Sequence, residues 1–338
     1  MKKQDASKKT TQMIYKQDPD SILADVYGDR YREYRRKWDA ADRLEYLPEF
    51  PLELGFDLKF GCNLKCIGCY FTGGDRPLDV TSQSRKDFPF EKYLDILREG
   101  QREDLYSVYF GYASEPTMNK NYLDYVEECR RHDVMDIWFG TNATAMDESE
   151  IDAMIEMGVS RFLVSVDANT KETYEKVRVG GDFDRVVHNV KYLAAKKKEL
   201  KTQLPIIRMS YVVNSVNEHE LEDFHATWRS IADYISVQHF YDIGEKETAS
   251  LAVQERKNAV FTCQQPFQRM FIHPDGRSFP CCSFENVYST EIAEEGVFER
   301  GVKAVWNSQR FQILRDKLKA NRFGEYECCA KCAVTSWE

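Results

Sequence analysis

The sequence predicts an α/β fold built on a parallel sheet. Segments rich in β-branched and aromatic residues alternate with segments of helical periodicity, which is the pattern of βα units. Six such units can be assigned, and six are too few to close an eight-stranded barrel. The predicted strands are 55–60, 107–111, 136–140, 161–166, 206–213 and 234–240, and the predicted helices are 91–102, 119–131, 148–157, 171–177, 183–197 and 216–231.

Before these units, the chain carries an N-terminal extension that we place at residues 1–50. Residues 1 to 20 are polar, and we expect them to be disordered. A helix is predicted from Asp20 to Leu44, with aromatic residues that we expect to pack on the sheet, although they could also fill a partner's groove. The α/β units then occupy residues 51–250, and a smaller domain occupies residues 251–338.

Charge and hydropathy exclude several classes of protein. The net charge of −9 argues against binding to a nucleic-acid backbone, because such proteins usually present a basic patch. No apolar run is long enough to span a membrane, and the polar first residues do not resemble a signal peptide, so we expect a cytoplasmic protein without a membrane partner. Ten cysteines in such a protein indicate metal ligation rather than disulfides.

Three of the cysteines lie close together on a turn after the first predicted strand. Cys62, Cys66 and Cys69 are separated by three and then two residues. Three thiolates can hold one iron–sulfur cube and leave its fourth iron corner open, and an open coordination position is typical of catalytic metal sites. A zinc site is the alternative, since thiolates at such spacings also suit zinc.

This spacing, with the aromatic Tyr70 after the last cysteine, resembles the signature of the radical S-adenosylmethionine (radical SAM) enzymes. The resemblance implies an open, partial (β/α)6 TIM-like barrel. It also implies that S-adenosylmethionine chelates the open iron of a 4Fe-4S cluster, next to Tyr70. One electron, supplied by a flavodoxin- or ferredoxin-type donor, then cleaves this cofactor to a 5'-deoxyadenosyl radical.

Further segments at the predicted strand ends resemble cofactor-binding motifs of the same family. Gly111–Pro116 is similar to the glycine-glycine-glutamate-proline segment, with Ala113 and Ser114 in place of glycine. Residues 140–143 are similar to a threonine-asparagine-glycine turn, and residues 165–167 to a serine-x-aspartate strand end. Each could instead be a turn residue, a helix cap or a surface charge. The resemblance implies that Gly111, Glu115, Asn142, Ser165, Asp167 and Arg178 bind the cofactor.

His239 ends the sixth predicted strand and is our expected catalytic base, with a structural, hydrogen-bonded histidine as the alternative. Asp242 and Glu245 follow on a loop, where they could recognise a polar substrate or be solvated.

The last domain contains six cysteines and a Pro274-Asp275-Gly276 turn, followed by a helix predicted over 302–318. It resembles the auxiliary-cluster extension of radical SAM enzymes, in the short twitch form of the SPASM-like domain. The resemblance implies a second 4Fe-4S cluster, although four thiolates also suit zinc. The implied ligands are Cys263, Cys281, Cys329 and Cys332, and Cys282 or Cys328 could replace its neighbour.

These expectations lead to an oxidoreductase-type enzyme with a small-molecule or peptide substrate. We expect a small polar substrate, such as an amino-sugar or cyclitol alcohol, which is oxidised with the auxiliary cluster as electron acceptor. The alternative enzyme modifies a peptide by epimerisation or crosslinking, for which Cys282 or Cys328 could return a hydrogen atom. A non-enzymatic iron–sulfur or zinc-binding scaffold would leave Glu115, Asn142 and Asp167 without a role.

Overall fold

The computed structural model describes residues 11–69, 87–240, 248–253, 263–281, 296–330 and 332. Its centre is one sheet of nine strands in the order β1-β7-β6-β5-β4-β3-β2-β8-β9. Strands β2 to β8 are mutually parallel where they pair, and β1 and β9 are antiparallel at the two edges. The strands are β1 Thr11–Tyr15, β2 Glu53–Phe56, β3 Ser107–Phe110, β4 Asp136–Thr141, β5 Arg161–Ser165, β6 Ile206–Val213, β7 Tyr234–His239, β8 Arg269–Ile272 and β9 Ser278–Phe279.

Helices connect the parallel strands and cover the sheet, as the alternating pattern predicts. The sheet is open in the described part of the chain, and the predicted partial (β/α)6 barrel is confirmed. The helices are α1 Pro19–Tyr27, α2 Asp29–Asp42, α3 Phe90–Arg102, α4 Tyr122–Arg131, α5 Glu148–Glu156, α6 Lys171–Val177, α7 Phe183–Glu199, α8 Leu221–Trp228, α9 Val297–Arg300, α10 Val302–Trp306, α11 Gln309–Lys319 and α12 Glu327–Ala330.

Four features of the fold differ from the sequence-based expectation. The segment expected to be disordered contains strand β1, which pairs with β7. The first helix is divided at Gly28, whose φ of +64° does not fit a helix. The helix predicted over 302–318 is divided where Ser308 caps a new helix through its side chain. Strand β8 joins the barrel sheet in parallel with β2, so the sheet continues across the predicted boundary at residue 250.

The N-terminal helices close the amino-terminal end of the sheet. Buried Tyr31 and Tyr34 pack in one cluster with residues at the starts of several strands, including Tyr106 and Tyr234. Tyr34 stacks on Tyr106 with ring centroids 5.2 Å apart, and Arg161 donates a hydrogen bond of 2.7 Å to Tyr31. The carboxyl-terminal end of the sheet is therefore the end that is left for a site. No helix of the described residues has the length and apolar character that crossing a membrane requires.

Candidate functional site

A pocket of about 410 Å³ lies at the carboxyl ends of the parallel strands. This is the edge at which α/β folds build their active sites. Most of the residues predicted from the sequence to act in the site line this pocket. They are Cys62, Cys66, Cys69, Gly111, Glu115, Asn142, Ser165, Asp167 and Arg178.

The loop that carries the first three cysteines is held by backbone hydrogen bonds. Lys65 donates to the carbonyl of Val179 at 2.8 Å, and Ile67 donates to the carbonyl of Val177 at 3.1 Å. The loop after β2 is thus joined to the end of α6, although more than a hundred residues separate the two segments. This pairing fixes the loop that brings the three thiols to the pocket.

Polar side chains from other strands contact two of these thiols. Asn142 Nδ2 is 3.6 Å from Cys62 Sγ, and Arg178 Nη1 is 3.6 Å from Cys66 Sγ. Burial raises the pKa of the Cys62 thiol to about 11, and burial also raises the pKa of Cys66, against the attraction of Arg178. Both thiols are therefore protonated without a metal, and cationic iron would be needed to hold them as thiolates.

The donor set fits an iron–sulfur cluster better than a single ion. Among the described residues, no three His, Cys, Asp or Glu side chains converge as ligands of one metal ion. A zinc ion would require its ligands to meet at one centre, whereas a 4Fe-4S cluster receives each thiolate at a different iron. Three thiols that line one pocket suit the second arrangement.

Glu115 is buried at 3% exposure and acts as an anchor for the turn after β4. Its Oε1 accepts a hydrogen bond of 2.8 Å from the Thr141 hydroxyl, and its Oε2 accepts one of 2.8 Å from the Asn142 amide. Burial raises the pKa of Glu115, and these hydrogen bonds oppose the shift. Contact between Glu115 and a bound ammonium group stays a prediction.

The segment before Glu115 does not need a second glycine. Gly111 has a φ of +84°, and a Cβ atom there would lie 2.2 Å from the Gly140 carbonyl oxygen. Ala113 and Ser114 have no such conformation, and their amides donate to Asp57 Oδ1 at 3.3 and 3.0 Å. The Asp57 carboxylate thus holds a backbone turn for which the family motif has glycine.

The turn after β4 has a left-handed backbone conformation at Ala143, the position where the family motif has glycine. Ala143 replaces glycine and has a φ of +57°, in the left-handed region. Its amide donates to the Thr141 hydroxyl at 2.9 Å, which supports this strained position. Asn142 Nδ2 also donates to Asn63 Oδ1 at 2.8 Å, so the turn is tied to the cysteine loop.

Asp167, at the end of β5, is held by two partners. Its Oδ1 accepts a 2.7 Å hydrogen bond from the Val212 amide, and its Oδ2 lies 2.5 Å from Arg178 Nη2. Burial raises the pKa of Asp167, and the Arg178 guanidinium works in the opposite direction. In this structure the two residues bind each other, and their contacts with a cofactor stay predictions.

The structure does not place His239 in the wall of the pocket. Its neighbours Gln238 and Phe240 line the pocket, and side chains alternate between the two faces of a strand. Burial lowers the pKa of His239, which keeps it neutral. Tyr70, Asp242, Glu245 and Cys282 lie outside the described residues.

Three residues at the same end of the sheet were not selected from the sequence. Asp57, Tyr112 and His273 follow β2, β3 and β8, and they form a contiguous polar group beside the pocket. A polar residue directly after a buried strand was the available signal for Asp57 and His273. Each position is ordinary alone, and only the three-dimensional structure brings them together.

The C-terminal thiols form a second group, packed in one small apolar core. Cys328 and Cys332 are buried there with Ala41 and Phe267, and Cys263, Cys281 and Cys329 pack against it. Cys328 Sγ is 3.9 Å from Cys329 Sγ, and the hydrogen bond with Cys328, together with burial, raises the pKa of Cys329. Either residue of this neighbouring pair is placed where it could bind a cluster.

Comparisons with known proteins match both parts of the chain. Residues 58–227 match the model of the radical SAM superfamily. Residues 263–333 match the model of the SPASM iron-sulfur cluster-binding domain.

Two groups of curated relatives share part of the sequence. A probable GTP 3',8-cyclase of Methanocaldococcus jannaschii is 23% identical over 185 residues, covering 55% of this chain and 57% of the relative. The mycofactocin maturase MftC of Mycobacterium tuberculosis is 25% identical over 175 residues, covering 52% of this chain and 41% of the relative. The chain thus spans about half the length of the curated relatives it matches.

Solved structures with low sequence identity share the fold. BtrN in complex with AdoMet and 2-DOIA has a TM-score of 0.56 at 14% identity, covering 84% of this chain and 93% of BtrN. Streptococcus suis SuiB bound to precursor peptide SuiA has a TM-score of 0.58 at 17% identity, covering 84% of this chain and 70% of SuiB. The anSMEcpe structure with bound AdoMet has a TM-score of 0.60 at 17% identity, covering 85% of this chain and 91% of anSMEcpe.

Proposed function

Because the chain belongs to the radical SAM superfamily, whose cofactors are S-adenosylmethionine and a 4Fe-4S cluster, we propose that it is an oxidoreductase that acts on a small polar substrate. The bound cofactors supply a 5'-deoxyadenosyl radical, which takes a hydrogen atom from a carbon of the substrate. The observation that supports this proposal most is one pocket that contains three thiols together with polar residues from the ends of five parallel strands.

In this proposal, Cys62, Cys66 and Cys69 hold the cluster that binds the cofactor. The other motif residues of the pocket orient S-adenosylmethionine. They are Gly111, Glu115, Asn142, Ser165, Asp167 and Arg178. The contacts that tie Asn142 and Arg178 to the thiols support this assignment, because the same side chains would then lie beside both the cluster and its ligand.

The SPASM domain binds auxiliary iron–sulfur clusters, and we assign one 4Fe-4S cluster to Cys263, Cys281, Cys329 and Cys332. Their packing around one apolar core supports the assignment. The auxiliary cluster would accept the electron that remains on the substrate after hydrogen abstraction. The division of the chain at residues 50 and 250 is part of the same proposal.

The character of the pocket favours a substrate with hydroxyl and amino groups over a polyanion. Apart from thiols, the ionisable groups that line it in the described residues are two tyrosines, Glu115, Asp167 and Arg178, and the last two form an ion pair. The remaining polar wall consists of hydroxyl and amide groups such as Ser114, Asn214 and Gln238. These groups suit hydroxyls and amines better than a triphosphate, so we propose an amino-sugar or cyclitol alcohol that is oxidised to a ketone.

A peptide is the second candidate substrate, because the fold is shared with SuiB in its complex with a precursor peptide. The enzyme would then epimerise or crosslink the peptide. Epimerisation would place solvent deuterium on carbon, and crosslinking would remove two hydrogen atoms without forming a ketone.

The remaining partners are also proposals. A flavodoxin- or ferredoxin-type protein would supply the electron that starts the reaction. The net charge of −9 disfavours nucleic acid, and nothing in the composition favours a membrane partner. A cytoplasmic location agrees with the use of thiols as metal ligands, because that compartment is reducing.

The test begins with anaerobic reconstitution using iron and sulfide, followed by dithionite and S-adenosylmethionine. We expect 5'-deoxyadenosine from the wild type and none from the triple change of Cys62, Cys66 and Cys69 to Ala. Cys129→Ala is the matched control, because Cys129 is buried against Tyr93, at 2.9 Å, and does not line the pocket. A panel of myo-inositol, scyllo-inositol, glucosamine and 2-DOIA is then assayed for ketone formation. Undiminished 5'-deoxyadenosine from the triple variant would reject the cluster assignment.

A further inference from the structure

Asp57, Tyr112 and His273 lie at the carboxyl ends of three adjacent strands. Tyr112 follows β3, Asp57 follows β2 and His273 follows β8, and the order of these strands in the sheet is β3-β2-β8. Tyr112 lines the pocket, whereas Asp57 and His273 are completely buried behind it. The cofactor motifs described above do not account for the three side chains acting as a group.

The three side chains form a path from the pocket wall into the protein. The Tyr112 hydroxyl is 2.6 Å from His273 Nε2, which is a short hydrogen bond. The same Nε2 atom is 3.5 Å from Asp57 Oδ2. A proton that reaches the Tyr112 oxygen can therefore pass to the imidazole, which lies beside a carboxylate.

The electrostatic state of the buried pair suits acceptance of a proton. Burial raises the pKa of Asp57 to about 6, and burial, with Arg277 nearby, lowers the pKa of His273 far below its usual value. At neutral pH the pair thus consists of a carboxylate and a neutral imidazole, and because Asp57 has the higher pKa of the two, a proton that enters the pair comes to rest on its carboxylate. Arg277 itself is paired with Asp275 at 2.8 Å, and no ion pair joins Asp57 to a lysine or arginine within the described residues.

Hydrogen bonds to Oδ1 of Asp57 stabilise its ionised carboxylate form. Oδ1 accepts from the amides of Ala113 and Ser114 and, at 2.5 Å, from the Ser114 hydroxyl. These donors stabilise the negative charge, as does the neighbouring Tyr112 hydroxyl, and Oδ2 lies beside His273 Nε2. The carboxylate can then take up a proton that arrives through His273 without moving.

We propose that Tyr112, His273 and Asp57 form the proton relay of the substrate oxidation, with Tyr112 as the residue that accepts the hydroxyl proton. This inference rests on the proposed function. After hydrogen abstraction, the substrate carbon has one unpaired electron and still bears its hydroxyl group. The O–H bond breaks, its proton goes to the Tyr112 oxygen, and the Tyr112 proton goes to His273 Nε2.

The remaining bonds and charges also balance. The carbon–oxygen double bond forms as the unpaired electron leaves, and the one-electron acceptor is the auxiliary iron–sulfur cluster named in the proposed function. The tyrosine returns to its neutral form, and His273 Nε2 passes the proton on to Asp57 Oδ2, 3.5 Å away, where it comes to rest. The buried pair changes from a net charge of −1 to zero, so no uncompensated charge is created in the interior.

The test separates hydrogen abstraction from proton removal. Panel compounds deuterated at their carbinol carbons are turned over by wild type, Tyr112→Phe and His273→Gln, and deuterium in 5'-deoxyadenosine and ketone are both measured. We expect both variants to keep deuterium transfer while the ketone formed per deuterated 5'-deoxyadenosine falls by about 100-fold, the size of a general-base contribution. The ratio should also show a solvent isotope effect in the wild type that Tyr112→Phe loses.

Tyr93→Phe is the matched structural control. The Tyr93 hydroxyl is buried and hydrogen-bonded to the Tyr125 carbonyl at 2.7 Å, away from the pocket, so this variant should be less stable with an unchanged ratio. Tyr112→Phe retains the ring that packs on Phe271, with centroids 4.2 Å apart, which favours its folding. If it does not fold, His273→Gln decides by the same ratio.

Each other outcome has a defined meaning. A wild-type ratio in both folded variants overturns the relay and leaves the proposed function standing. Loss of deuterium transfer together with ketone, at normal iron content, would mean that Tyr112 binds the substrate and would also overturn the relay. If the wild type oxidises none of the panel, the proposed function fails, and the relay fails with it.

Discussion

The guanidinium of Arg178 and the carboxylate of Asp167 form a buried ion pair, with Nη2 2.5 Å from Oδ2. Their side chains are 14% and 7% exposed. The same guanidinium lies 3.6 Å from Cys66 Sγ, so the pair connects the cysteine loop to the end of β5. The pair therefore contributes both to the stability of the site and to its shape.

Arg178→Gln should destabilise the protein by about 3 kcal/mol, because it leaves the Asp167 carboxylate buried without its cation. Asp167→Asn combined with Arg178→Gln should cost at least about 1 kcal/mol less than the sum of the single changes. Urea unfolding measures all three variants. Lys171→Gln is the control, since its pair with Asp184 is 55% and 74% exposed. Additive single effects would contradict the coupling.

The raised pKa of Asp57 predicts a specific pH dependence of stability. The pKa of Asp57 is about 6 in the folded protein and 3.8 in the unfolded chain. Between these pH values the native state therefore binds one proton more than the unfolded state. Stability from this group is therefore greatest at low pH and falls as pH rises toward 6, by about 3 kcal/mol in total and about 1 kcal/mol between pH 5 and 7.5. The difference in unfolding free energy between wild type and Asp57→Asn should show this slope. A constant difference across that range would contradict it.

Gly111→Ala should be among the most damaging single changes in the barrel. Its φ of +84° disfavours a side chain, and the new Cβ would meet the Gly140 carbonyl oxygen and the ring of Pro116. Gly28→Ala is the control for strain alone, because Gly28 has a φ of +64° with no atom within 4 Å of the new Cβ. We expect a loss of about 1 kcal/mol at Gly28 and clearly more at Gly111 in thermal unfolding. Equal losses would mean that the close contact at Gly111 is easily relieved.

Iron analysis tests the second cluster. Reconstituted wild type should contain about eight irons per chain, and the triple change of Cys62, Cys66 and Cys69 to Ala should leave about four. Cys332→Ala should also lower the content to about four, because it removes an assigned ligand of the auxiliary cluster. Cys129→Ala is the control, since the Cys129 thiol is buried against Tyr93 and does not line the pocket. Stoichiometric zinc with only one iron cluster would contradict the proposal.

The sequence predicted the parts of the fold that depend on local pattern. The strand at 206–213 and the helix at 171–177 have the bounds that were predicted, because their periodicity and caps are local signals. The cysteine spacing and the strand-end motifs likewise identified nine residues that line the pocket. Most of these motifs can be read in this way because they lie at or after the end of a strand, whereas Arg178 follows helix α6.

Features that depend on distant pairing could not be predicted. Strand β8 has only four residues, and its place in the sheet is fixed by pairing with β2, more than two hundred residues earlier. The group formed by Asp57, Tyr112 and His273 depends on that same pairing. The position of His239 could not be predicted for a different reason. Side chains alternate between the two faces of a strand, so an error of one residue in the register places a side chain on the wrong face.

The parallel pairing of β8 with β2 has a consequence for dividing the protein. A chain that stopped at residue 253 would keep the whole cysteine loop but would expose β2 as an unpaired edge. Exposed edges recruit strands from other molecules, so such a fragment would tend to aggregate. A stable fragment would therefore have to end after β8, beyond the boundary between the two cluster-binding regions. A hybrid enzyme with an exchanged C-terminal region would have to keep the β8 strand of the barrel that receives it.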